Sequence, residues 1–321
     1  MIHRSLTQPG DHNGNIRSGG LKRTYLLHLP PSYDGTKATP LVFVFHGGGG
    51  TGQDAAELTG FSQLSDQKGF IVVYPDGVDQ HWSDGRGTTP PDQQGVDDVG
   101  FVLALLQDLS QSLKINRRRV YATGMSNGAI FTQRLGCELT AQIAAIGVVA
   151  GTMAENIALT CAPRLAISVV EFHGTDDLVV PFKGGEVQGE CGGTVLSVDE
   201  TVSRWVKING CPTSPKIRLE PDKDPNDGTR VLRESYRPCQ NGKGVVLYAI
   251  KGGGHTWPDG PGGQLPSSGT VSRDINATEV IWDFFTNHPK KKTFNWLGLV
   301  AGAAGLCLVA VLIYRKQKRT E

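Results

Sequence analysis

The 321-residue chain lacks any large imbalance of charge: 32 Lys and Arg stand against 31 Asp and Glu, a formal net charge of +1. Such a balance offers no basic field for nucleic acid, and nucleic-acid binding is set aside on that ground. No two of the six cysteines have the C-x-x-C spacing, so structural disulfides or buried thiols are expected rather than a zinc or redox pair. The first 30 residues hold no apolar run longer than Tyr25-Leu26-Leu27, too little for a signal-peptide core. Two expectations follow: the natural start lies further upstream, or the protein is inserted by its tail.

One stretch lacks charge altogether. Residues 296–314 are 19 positions rich in Leu, Val, Ala and Gly, with Lys290, Lys291 and Lys292 before them and Arg315, Lys316, Lys318 and Arg319 after. At a helical rise of about 1.5 Å per residue they cover roughly 28 Å, near the thickness of a bilayer core. A buried core helix usually keeps one polar face and this stretch shows none, so the expectation is a single transmembrane helix with the lipid bilayer as partner. Those basic flanks hide a segregation: residues 1–289 carry 25 basic against 30 acidic side chains, a net −5.

What the chain has in plenty is turn-forming residues, 42 Gly and 18 Pro, which argues against disorder and against a coiled coil. Between the turns, short apolar runs rich in β-branched residues at 24–29, 41–45, 70–74, 120–123, 143–149, 167–172 and 245–250 are predicted strands. Helical spacing occupies 53–68, 99–113, 128–139, 198–208 and 276–286. Alternation of the two predicts an α/β fold, a mostly parallel sheet with helices on both faces. The charged, Pro-rich segment 212–244 reads as a long surface excursion. Its Asp222, Asp224, Asn226 and Gly228 resemble a calcium loop only superficially, because Asp227 and Arg233 stand where an EF-hand needs Gly and Glu.

Chemistry concentrates where the strand ending at Thr123 runs into Gly124-Met125-Ser126-Asn127-Gly128 and then a helix. G-x-S-x-G between strand and helix is the nucleophile elbow of α/β-hydrolases, with glycines where a Cβ would keep strand and helix apart. A serine hydroxyl needs a base, and in this fold the acid and the histidine follow it in chain order. After Asp177 only His255 and His288 remain, and His255 arrives on Gly252-Gly253-Gly254 behind a strand. The acid is Asp176 or Asp177, both just past the strand at 167–172. Backbone N–H donors for an oxyanion are expected at Asn127, directly after the nucleophile, and at Gly48 in His46-Gly47-Gly48-Gly49-Gly50. Met125, beside the serine, and Trp257, two residues past the base, are candidates for substrate contact, with a packing role for Trp257 equally open.

Gly47, Gly49 and Gly52 also fit G-x-G-x-x-G, with Asp76 after the next strand, the pattern of a nicotinamide-dependent oxidoreductase. That reading leaves the serine elbow and the His255 loop without a role. A membrane-tethered binding module that has lost catalysis is the other alternative, and the complete set of triad residues argues against it.

Together these residues resemble the polyhydroxybutyrate depolymerase and feruloyl esterase-like hydrolases of carbohydrate esterase family 1. The similar stretches include Arg23-Thr24-Tyr25, Pro30-Pro31-Ser32-Tyr33-Asp34, Tyr74-Pro75-Asp76-Gly77, Val96-Asp97-Asp98-Val99-Gly100-Phe101, the His173 and Trp205 regions, and Gly252 onward. They extend over about residues 20–287. The resemblance implies an α/β-hydrolase fold and a serine carboxylester hydrolase without metal or cofactor. Its H-G-T-x-D motif implies Asp177 as the acid beside Ser126 and His255. It also implies the disulfides Cys137–Cys161 and Cys211–Cys239, leaving Cys191 outside both pairs. Trp82 lies in a loop near the substrate in such enzymes, and here the sequence Trp82-Ser83-Asp84-Gly85 departs from many relatives. Feruloyl, acetyl-polysaccharide and polyhydroxyalkanoate esters, polymeric ones included, remain open as substrates.

The expected organisation is an esterase domain at 1–289, a basic linker at 290–295, the span at 296–314 and a basic tail at 315–321. Four basic residues follow the span and three precede it, which with the cysteines favours an extracytoplasmic catalytic domain.

Overall fold

The structure, a computed structural model, describes residues 8–189, 191–260 and 268–291. The chain opens with β1 (Gly10–Ser18), β2 (Leu21–Leu29) and β3 (Thr39–Phe45), then α1 (Gly52–Thr59), α2 (Phe61–Lys68) and β4 (Ile71–Pro75). It continues through α3 (Pro90–Gln93), α4 (Asp98–Ser112), β5 (Ile115–Met125), α5 (Asn127–Glu138), β6 (Ala145–Val149), α6 (Glu155–Thr160) and β7 (Ser168–Gly174). The last part comprises β8 (Gly185–Glu186), β9 (Thr194–Val195), α7 (Val198–Ile208), β10 (Lys216–Leu219), β11 (Arg230–Tyr236), β12 (Val245–Lys251) and α8 (Ala277–Thr286).

Ten strands form one sheet in the order β1-β2-β4-β3-β5-β6-β7-β12-β11-β10. The six from β4 to β12 run parallel, and the hairpins β1–β2 and β10–β11 extend the sheet antiparallel at its edges. The parallel strands are apolar on both faces because helices cover both. Leu41, Phe43 and Phe45 of β3 join one buried layer with α4, α5 and α7, while Val42 and Val44 join the other with α1, α2 and α8. Helix starts are written in the sequence: Thr51 with Asp54 and Ser197 with Glu200 form capping boxes, and Asn276 caps α8.

Seven expected strands and five expected helical segments are present, with three differences. The segment 53–68 is two helices, because Gly60 at φ 66° ends α1 and turns the chain into α2. The segment 212–244 is no mere excursion: it carries β10 and β11, whose charged residues lie at an edge where polar side chains reach solvent. β1 escaped notice because its nine residues hold one large apolar side chain, Ile16, and the strand depends on its ladder with β2.

Both disulfides implied by the resemblance are present, Cys137–Cys161 and Cys211–Cys239. Among the described residues no helix is long and apolar enough to cross a membrane. The expected span 296–314, the tail 315–321 and the linker from residue 292 onward lie outside the described residues.

Candidate active site

The centre of the sheet delivers Ser126. β5 is flanked by parallel neighbours on both sides and runs straight into the serine, whose backbone at φ 55° and ψ −124° is sharply bent for a residue with a Cβ. Ser126 N–H donates to the Val149 carbonyl at 3.0 Å, and its own carbonyl accepts from Ala129 and Ile130, the first turn of α5. A Cβ at Gly128 would stand 2.4 Å from the carbonyl oxygens of both Phe45 and His46, and one at Gly124 would stand 2.6 Å from the Gly128 carbonyl oxygen. The two glycines therefore let β3, β5 and α5 touch through bare backbone.

His255 reaches the same place from the far side. It follows β12 through the three glycines and, with Ser126, lines a cleft of about 470 Å³ that Gly47, Gly48, Asp54, Leu58 and Met125 help to form. Its Nδ1 lies 2.8 Å from Asp177 Oδ2. The other carboxylate oxygen of Asp177 accepts from the Val179 and Val180 N–H groups at 2.8 and 2.9 Å. Asp176 points to solvent and bonds the Thr175 hydroxyl. Of the two aspartates left open by spacing, Asp177 is the one that faces His255.

A third side chain completes this pair. His173, four positions before Asp177, directs Nε2 at the Val180 carbonyl at 2.8 Å and at Asp177 Oδ2 at 3.4 Å. Burial alone would raise the Asp177 pKa, but the bonds and charges of His173 and His255 outweigh it and hold the carboxyl well below the usual range. The i,i+4 spacing of His173 and Asp177 was the available signal. The loops themselves are joined by main chain: Thr175 N–H donates to Ile250, Asp176 N–H to Gly253, and the Thr175 hydroxyl accepts from Gly252 N–H.

On the other side of Ser126 lies a second hollow of about 250 Å³, lined by Gly48, His81, Arg86, Asn127, Gln188 and Cys191 among others. Gly48 sits there beside Asn127, since a Cβ on Gly48 would lie 3.8 Å from Asn127 Cβ. In the same glycine loop, Gly49 and Gly50 N–H are already engaged by the Gln80 and Gly47 carbonyls. The Asn127 side chain is clamped, accepting from Trp82 N–H at 2.8 Å and donating to Asp84 Oδ2 at 2.6 Å. Arg86 pairs with the same buried carboxylate. Burial raises the Asp84 pKa even so. His46 braces the loop from below: Nδ1 donates to the Gly47 carbonyl and Nε2 accepts from Gly77 N–H, the pattern of a neutral ring, and burial pushes its pKa down.

Met125 lines the larger cleft, but Trp82 and Trp257 do not line either hollow. Both indoles are fully buried. Trp82 stacks on Phe131 and donates to the His46 carbonyl, whereas Trp257 packs on Phe61 and donates to Thr278 Oγ1. Their burial favours a packing role for both, the reading left open for Trp257. The dinucleotide pattern dissolves too, because Gly52 starts α1 and its N–H donates to Asp76 Oδ1, a carboxylate that also holds Thr24.

Residues 23–171 match the family model described as Esterase PHB depolymerase. Feruloyl esterase B of Piromyces equi is 30% identical over 248 residues, which are 74% of this chain and 43% of that protein, so the chain spans less than half of that relative. Feruloyl esterase D of Neurospora crassa is 26% identical over 279 residues, 83% of this chain and 82% of its own. The acetyl xylan esterase from Aspergillus awamori superposes with a TM-score of 0.56 at 15% identity, over 86% of this chain and 99% of that one, a likeness of fold. The chain is thus similar to the Esterase PHB depolymerase family over residues 23–171, has feruloyl esterases among its relatives, and is a carboxylic ester hydrolase with an α/β-hydrolase-like fold.

Proposed function

We propose that the chain cleaves carboxylic esters through an acyl-enzyme on Ser126, with His255 as base and Asp177 as its orienting acid. One observation carries the reading: a serine on a strained strand-to-helix turn shares a cleft with a histidine whose Nδ1 is held 2.8 Å from a buried carboxylate. With Nδ1–H donating to Asp177, Nε2 is the acceptor. It takes the Ser126 proton as Oγ attacks the ester carbonyl and returns it to the departing alkoxide. The Gly48 and Asn127 N–H groups would hold the tetrahedral oxyanion. A water activated by the same nitrogen then releases the acid. No step calls for a metal or a cofactor.

Substrates of the feruloyl, acetyl-polysaccharide or polyhydroxyalkanoate type fit this reading, since relatives are named feruloyl and acetylxylan esterases. The two hollows flanking Ser126 give acyl and alcohol portions separate places. Ser126→Ala should lower turnover of a p-nitrophenyl ester by about 10⁶-fold and abolish labelling by a fluorophosphonate, with unchanged thermal unfolding. Wild-type turnover in that variant would reject the assignment. Methyl ferulate, acetylated xylan and hydroxybutyrate oligomers, assayed side by side, decide the substrate class.

The proposed location is a membrane, with 296–314 as a single span and the catalytic domain extracytoplasmic. The charge-free stretch and two disulfides, which cytosolic thiol pools disfavour, support it. Protease added to intact cells should remove the esterase domain. Resistance until the membrane is permeabilised would place the domain in the cytoplasm.

A further inference from the structure

Parallel strands give the sheet two unlike ends. At the carboxyl ends, where Ser126, Asp177 and His255 lie, the segment 76–98 holds six aspartates against one arginine. Around the amino ends of β5, β6 and β12 the charge is basic instead. Arg117, Arg118 and Arg119 lie at the start of β5, Lys114 precedes it, and Lys243 precedes β12 and donates to the Ala144 carbonyl ahead of β6. The segments 113–119, 139–144 and 237–244 contain no acidic residue.

This basic end includes a built groove of about 270 Å³, lined by Lys216, Arg218, Arg233, Ser235 and Arg237. Lys216 pairs with Ser235 and Arg218 with Arg233 across the β10–β11 ladder, so these side chains share one face. Two arginines directly opposite each other repel, and Glu220 stands only within 3.8 Å of each. Arg233 Nε is buried with no hydrogen-bond partner among the described residues. Arg237 donates to His288 Nε2 at 3.1 Å, while His288 Nδ1 donates to the Phe284 carbonyl. That ring is neutral, its pKa pushed down to about 4 by burial and by Arg237 and Lys243, so it offers no counter-charge. Burial and the neighbouring Arg233 likewise lower the pKa of Arg237. The groove is a cluster of cations short of an anion.

Its position names the anion. β11 runs antiparallel to β12 and sets Ser235 beside Val246, at the start of β12, whereas His255 follows the end of that strand. A strand of this length separates the groove from the catalytic cleft by roughly 20 Å, too far for an ester-bearing chain gripped at the groove to be read at Ser126 as one short unit. The chain also leaves the fold here, since His288 touches Arg237 and Lys290, Lys291, Lys292 and the charge-free stretch follow in sequence.

We propose that the amino-terminal end of the sheet docks on anionic phospholipid headgroups, held in the groove of Lys216, Arg218, Arg233 and Arg237, with the esterase cleft facing away from the bilayer. The choice of occupant rests on the proposed span at 296–314.

The test uses the full chain reconstituted in phosphatidylcholine vesicles and in vesicles with about one third phosphatidylglycerol. Lysines are acetylated in water and Lys216 is compared with Lys183, exposed at the opposite end, by peptide mass spectrometry. Docking predicts about fivefold protection of Lys216 relative to Lys183 in the anionic vesicles, reversed by high salt. The Arg218→Glu/Arg237→Glu variant should lose that protection while keeping wild-type turnover of a soluble ester. Equal labelling in both vesicles overturns the proposal, as does equal protection in phosphatidylcholine on adding inorganic phosphate or a soluble polyuronate. Alkaline carbonate extraction reads the span separately: release of the chain, with Lys216 still protected in anionic vesicles at neutral pH, would reject the span and keep the docking surface.

Discussion

Ser126 and His255 meet in one cleft but are held there by different physics. The serine is fixed by steric fit: a bent backbone at φ 55° between a central strand and a helix, with β3 pressed against Gly128. The histidine is fixed by polar bonds. Its loop is laced to the Asp177 loop by main-chain hydrogen bonds, and the ring is aimed by a carboxylate that His173 and two N–H groups also hold. A steric support fails when an atom is added, and a polar one fails when a charge or donor is removed. Gln133 joins the two regions: it sits on α5, donates weakly to Glu171 of β7 at 3.5 Å, and accepts from Trp205 at 2.7 Å.

Five substitutions separate these modes. Removing the charge that aims the ring has the largest expected effect: Asp177→Asn should reduce kcat by about 10⁴-fold, the scale known for the third member of a triad, with the serine elbow intact. Asp176→Asn should stay within a few-fold, and the opposite ranking would move the acid by one position. Adding one carbon to the steric side comes next. Gly128→Ala should destabilise the fold by about 1–3 kcal/mol, seen as a Tm several degrees lower, and should impair turnover as β3 is pushed away. A fully active, equally stable Gly128→Ala enzyme would show that the elbow tolerates looser contact.

The bridge between the two regions gives a smaller, pH-dependent effect. Burial raises the pKa of Glu171 to about 8. Between the unfolded value near 4.3 and that raised value the folded chain holds a proton that the unfolded chain has released, so stability falls as pH rises through this window. Glu171→Gln removes the dependence, and its Tm advantage over wild type should widen from about pH 5 to about pH 8. A gap that stays constant with pH would contradict the buried, protonated carboxyl. Smallest is Trp257→Phe, expected to cost about 1 kcal/mol through the lost Thr278 bond and to leave KM unchanged. A large change in KM would return Trp257 to the substrate surface.

The sequence made the parallel core legible because strands buried on both faces read as unbroken apolar runs. It hid β1, β10 and β11, where edge strands carry Asp, Asn, Lys and Arg and look like loop. At the site, residues whose backbone is singular were easy to place: the glycines around Ser126 and the glycine approach to His255. Trp82 and Trp257 stayed ambiguous because a tryptophan near a catalytic residue in sequence has no sign marking its indole as facing the cleft or the core. His46 and the Asn127–Asp84 clamp act through contacts between distant segments, which spacing does not encode.

The order of strands has a consequence for synthesis. β5 and its serine can pair with β3 once about 130 residues have emerged, yet β12, which takes its place beside β7, comes more than 70 residues after that partner, and His255 follows it. A domain folds as a unit, so a nascent chain that already holds Ser126 still lacks the strand and the base that complete its sheet and its site. Ester cleavage can begin only when the last third of the fold has been made and has closed beside the elbow.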